Sequence, residues 1–74
     1  MKRLNQLKDS EECKIVRIED ADLKKYLCSL GIVEGTIIKR QRKSPLGSPV
    51  MYLAKDTVIA LRLGDSYMIE VEPI

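Results

Sequence analysis

The sequence has no histidine, no tryptophan and no phenylalanine, and only two cysteines among its 74 residues. Without an imidazole there is no general base for a Ser–His or Cys–His pair and no histidine metal ligand. Phosphate loops of the G-x-G-x-x-G or G-K-[S/T] type are absent as well. The eleven acidic residues are scattered along surface-like positions and do not pair for carboxylate catalysis. The chain is therefore expected not to be an enzyme and to need no cofactor. Cys13 and Cys28 stand fifteen residues apart with no companion thiol, a spacing that builds no metal site. Cys13 reads as a small core residue and Cys28 as a partly exposed one, both as free thiols. No apolar run approaches the ~20 residues of a membrane span, and Met1-Lys2-Arg3 is not followed by a signal-peptide core. The expected location is the cytoplasm. A net charge of +2 does not by itself mark a nucleic-acid binder.

What is present suits one small globular domain spanning residues 1–74, with 45% hydrophobic and 32% charged residues. Starting with methionine, the chain reads as a module complete on its own. Leu4 and Leu7 are expected to tuck an N-terminal segment over one end of the core. A first strand over Cys13–Ile18 has broken parity, since Cys13 and Ile15 share a face that Ile18 does not; a bulge near Val16 or Arg17 reconciles them. Asp20 or Asp22 can cap a helix whose Leu23, Leu27 and Leu30 form one inward stripe, with Lys24 and Lys25 on the other side. Gly31 stops that helix by taking positive φ, and Ile32 folds back on its last turn. Further strands are expected at Thr36–Lys43, Val50–Ala54, Thr57–Arg62 and Tyr67–Val71, with a polar turn at Lys55-Asp56. Ile38, Ile59, Leu61, Ile69 and Val71 join Leu27 and Leu30 in the core. The architecture is mainly β with one short α-helix, closing as a small barrel of five to six strands.

Two stretches carry the candidate contact residues. The basic run Lys39, Arg40, Arg42 and Lys43 is either a patch steering an acidic partner or a solvated strand whose charges discourage edge pairing. The only aromatics are three tyrosines, none within that run, which argues against nucleic acid. The loop from Ser44 to Pro49 matches a type I turn at Ser44-Pro45-Leu46-Gly47, closed by Ser48 and Pro49. It is either an interaction tip, with Leu46 as anchor, or a rigid turn.

Leu27-x-x-Leu30-Gly31-Ile32-x-x-Gly35, Pro45-Leu46-Gly47-x-Pro49, Ile59-Ala60-Leu61-Arg62 and Ile69-x-Val71 together resemble the FeoA family over Leu4 to Glu72. The sequence departs from the family pattern at Ser48, where aspartate is usual, and at Asp9-Ser10-Glu11, where a Pro-Gly turn is common. The resemblance implies an SH3-like barrel with the helix inserted after the first strand. It also implies a small cytoplasmic accessory protein that regulates or assembles the ferrous-iron transporter FeoB by protein–protein contact. The transition-metal association comes with the family, not with any residue set here. The alternative implied by the same resemblance is the SH3-like module of an iron-dependent transcriptional regulator.

Overall fold

Period-two alternation sets most of the architecture, and the computed structural model describes it for residues 2–43 and 49–74, with only the backbone given for Arg42 and Lys43. Strand β1 is Lys2–Arg3, followed by a 3-10 turn at Leu4–Gln6. Strand β2 is Glu12–Ile18, helix α1 Ala21–Ser29, β3 Ile37–Lys43, β4 Val50–Ala54 and β5 Thr57–Leu61. A one-turn helix α2, Leu63–Tyr67, precedes β6, Ile69–Pro73. All pairings are antiparallel, in the order β1-β6-β2-β3-β4-β5. The sheet curls so that the inward-facing parity of each strand fills a single core, and β1 and β5 remain its two ends.

The bulge expected in the first strand lies between Ile15 and Arg17 in the pairing with β6. It turns Ile18 inward beside Cys13 and Ile15, all three buried. Asp20 is the helix cap: its Oδ2 accepts the Leu23 amide at 2.8 Å. At the other end the Ile32 amide donates to the Leu27 carbonyl and the Gly31 amide to that of Cys28, both at 2.9 Å. Those bonds and Gly31 at φ +80° make a Schellman motif. Ile32 folds under the helix and is fully buried.

Leu30 departs from expectation: it is 36% exposed and not a core residue. It occupies the C-cap position, and the Schellman reversal delivers Ile32 to the place a third stripe residue would fill. Tyr67 also departs, lying in α2 instead of on a strand and 56% exposed. The Tyr52 hydroxyl donates to Ser66 Oγ, which donates to the Arg62 carbonyl, each at 3.2 Å. Ser66 is fully buried by that chain, and satisfying it requires a helical turn at Arg62–Ser66, not extended backbone. The other expected core residues, Leu27, Ile38, Ile59, Leu61, Ile69 and Val71, are all buried.

The two thiols differ as the sequence suggests, Cys13 being 1% exposed and Cys28 open to solvent. Burial pushes the Cys13 thiol up to about 11 from 9. An unfolded chain loses that proton first, so this contribution to stability is intact below pH 9 and lost as pH rises toward 11. A thiol reagent is expected to modify one cysteine per folded chain rapidly and the second only in denaturant. Rapid loss of the fast phase in Cys28→Ser, and not in Cys13→Ser, checks the assignment.

A candidate docking groove beside helix α1

An apolar depression runs between α1 and the segment after its cap, an open groove of about 660 Å³. The buried Ile18 and Ile32 line it together with the exposed Ala21, Lys24, Cys28 and Val33. Ala21, Lys24, Lys25 and Cys28 recur at i, i+3, i+4 and i+7, so α1 carries a second stripe beside the buried Leu23 and Leu27. The lysines line the wall with their methylene stems and keep their ammonium groups in water. Across the opening, Lys24 Nζ lies 3.7 Å from Glu34 Oε2.

Val33 stands out because its backbone is held on every side. Its amide donates to Thr36 Oγ1 and its carbonyl accepts from the Thr36 amide, both at 3.0 Å. Gly35 takes φ +95° at the third position of this turn, as a type II turn demands. The Gly35 amide reaches the Ile15 carbonyl at 2.7 Å, and the Ile15 amide reaches that of Thr36 at 2.9 Å. Thr36 is buried by these bonds, yet Val33 remains 45% exposed and Ile37 beyond it 41%. A second depression of about 570 Å³, reaching Ile37 and Lys55, lies on the far side of the Val33–Glu34 ridge. The result is an apolar surface on a fixed backbone, flanked by Lys25 and by the Lys24–Glu34 pair.

The contact residues read from the sequence fare unevenly. Arg40 is buried, not part of an open basic patch. It shares inward parity with Ile38, and its Nη1 donates to the Leu7 carbonyl. Asp9 lies 3.6 Å from its Nε, which has no hydrogen-bond partner among the described residues. Arg40 therefore fastens the N-terminal segment to β3. Lys39 is half-buried on the opposite face, and Pro49 is exposed just before β4. The backbones of Arg42 and Lys43 belong to β3. Pro45, Leu46 and Gly47 lie outside the described residues. Arg40→Met is expected to cost about 1–3 kcal/mol in a denaturant melt, because the Leu7 carbonyl would lose a buried donor. Lys39→Met should stay within about 0.5 kcal/mol.

Among the described residues, no three Cys, Asp or Glu side chains cluster to hold a metal ion. Electrostatics are instead those of surface pairs. Arg3 and Arg17 both reach Glu19 Oε2, at 2.7 and 3.0 Å, and hold its carboxyl below the ordinary range. A backbone bond from Lys8, with Lys2 nearby, does the same for Glu11. Both contributions are present above the ordinary carboxylate range and fade as pH falls below it.

A family model of the FeoA domain matches residues 2–73. No curated protein matches the chain. Among solved structures, a FeoA protein from Chlorobium tepidum superposes with a TM-score of 0.92 at 23% identity, over 99% of this chain and 70% of that one. Iron(II) transport protein A from Clostridium thermocellum gives 0.88 at 30% identity, and 99% of this chain spans 46% of it. A zinc-complexed FeoA from Stenotrophomonas maltophilia, described as an SH3 domain protein, gives 0.83 at 22% identity over 97% and 91%. The six-stranded fold is thus SH3-like.

Proposed function

Because this chain belongs to the FeoA domain family, whose members are linked to ferrous-iron transport, we propose that it is a non-enzymatic accessory subunit of an FeoB-type transporter. It acts in the cytoplasm by docking on the transporter's GTP-binding domain or on the assembled complex. No helix among the described residues is long and apolar enough to cross a membrane, so contact with a transporter would be made from outside the bilayer. The observation that carries this reading is the groove beside α1, where Val33 stands on a turn closed by Thr36 and tied to Ile15. An apolar side chain on a rigid backbone loses little entropy on burial and fills a pocket well. Lys24 and Lys25 favour acidic residues around the partner's anchor and raise the association rate more than the affinity.

The Pro45-Leu46-Gly47 tip, with Pro49, Lys39, Arg42 and Lys43, is a second contact proposed on the turn chemistry of the sequence. Arg40 is removed from it by burial. Capture of the transporter's GTP-binding domain by this protein, with and without guanine nucleotide, tests the proposal. Absence of capture in both conditions, and from the detergent-solubilised complex as well, would remove it.

A further inference from the structure

Strand β5 ends the sheet, and nothing among the described residues pairs with its outer edge. Sheet edges in native proteins are usually guarded by lysine, proline or a bulge. Thr57-Val58-Ile59-Ala60-Leu61 carries no charge, no proline and no register shift against β4. The two-residue Lys55-Asp56 turn makes Ala54 and Thr57 the closing hydrogen-bonded pair. Thr57, Ile59 and Leu61 therefore spend their amides and carbonyls on β4, and those of Val58 and Ala60 face outward. The side chains of these two residues are exposed as well, Val58 at 55%.

We propose that this edge pairs antiparallel with β5 of a second copy of the chain, about a two-fold axis at Ile59. In that register Val58 lies opposite Ala60 of the second copy and Ala60 opposite its Val58, a branched residue against a small one. Four ladder bonds close the seam. Continuing outward, Asp56 comes opposite Arg62 of the second copy, and Arg62 opposite its Asp56. Both residues are exposed, and neither makes an ion pair among the described residues. A slip of two residues in either direction loses both pairs, so the charges select the register as well as the partner. On the outer face, Met51 and Leu53 of β4 stand beside Ala60 and Val58 and extend the apolar strip behind the seam. A seam this short buries far less than a standard interface, which places the dimer in the weak, transient class.

Sedimentation and NMR diffusion of the full chain from tens of micromolar to millimolar concentration provide the test. The wild-type chain is expected to shift from monomer to dimer across that range, with slowed amide exchange at Val58 and Ala60. Asp56→Lys places two cations opposite each other at both ends, and Arg62→Asp places two anions there. Each should weaken self-association about tenfold or more. A lysine is tolerated in this turn, since Lys55 already takes φ +51° there. Mixing the two single variants restores complementary charge at both ends and should recover a heterodimer of wild-type affinity. Equal melting temperatures for both variants exclude misfolding as the cause. A wild-type chain that stays monomeric at millimolar concentration overturns the proposal. So does a dimer that neither variant weakens, or a mixture that fails to re-associate. Protection of β5 only on adding an extended peptide from another protein would assign the edge to that partner instead.

Discussion

Leu27→Ala is expected to lose about 2–5 kcal/mol, most of the stability that a domain of this size possesses. Leu27 is fully buried on α1, and its side chain joins the helix to the core shared by all the longer strands. A nine-residue helix does not hold itself together by propensity, so its packing stripe keeps it in place. The groove is built on the neighbouring stripe of the same helix and would be lost with it. Each kcal/mol moves the melting temperature of such a domain by about 4–8 °C. Leu30→Ala, one turn away at the exposed cap, should move it by little. Equal effects at the two positions would contradict the placement of Leu30 outside the core.

Val33→Asp should abolish binding to the transporter while leaving the melting temperature within a few degrees of wild type. The backbone around Val33 is fixed by Thr36, Gly35 and Ile15 and does not depend on the valine side chain. A carboxylate there would have to be desolvated on entering the partner's apolar pocket, and that cost is several kcal/mol. Leu46→Asp supplies the comparison, because the sequence offers Leu46 as the anchor instead. Loss of capture and of cellular iron uptake in Val33→Asp alone assigns docking to the groove. The same loss in Leu46→Asp alone assigns it to the Pro45-Leu46-Gly47 stretch. Loss in both means that the partner spans the two surfaces, and retention in both leaves the proposed function without a surface.

Much of this fold was readable from short-range rules. Asp20, the bulge after Ile15, the stop at Gly31 and the parity of Ile59, Leu61, Ile69 and Val71 all follow from contacts a few residues long. Errors came where a distant residue decided the outcome. Ser66 is helical because Tyr52, fourteen positions earlier, needs its hydroxyl. Arg40 is inside because Leu7, thirty-three positions earlier, presents an unpaired carbonyl. Yet its parity with Ile38 was already visible and pointed the same way. The groove was missed for another reason. Lys24 and Lys25 stand out in the sequence only as the side of α1 away from the leucines, although Ala21 and Cys28 complete a stripe with them. That Val33 would be held out was not legible at all, since it depends on Thr36 and Gly35 bonding back to β2.

The fastening at Arg40 bears on how the protein comes apart. The Ser10 amide donates to the Arg40 carbonyl at 2.8 Å and the Arg40 amide to that of Glu11 at 3.0 Å, while Lys2 and Arg3 pair with β6 at the other end of the same segment. Leu4 and Leu7 are sealed beneath it. A terminus tethered in this way cannot fray as an independent unit; it opens only when the barrel opens. Hydrogen exchange should therefore give Ser10 and Arg40 a common opening free energy close to that of global unfolding, although residues so near a chain end ordinarily exchange first.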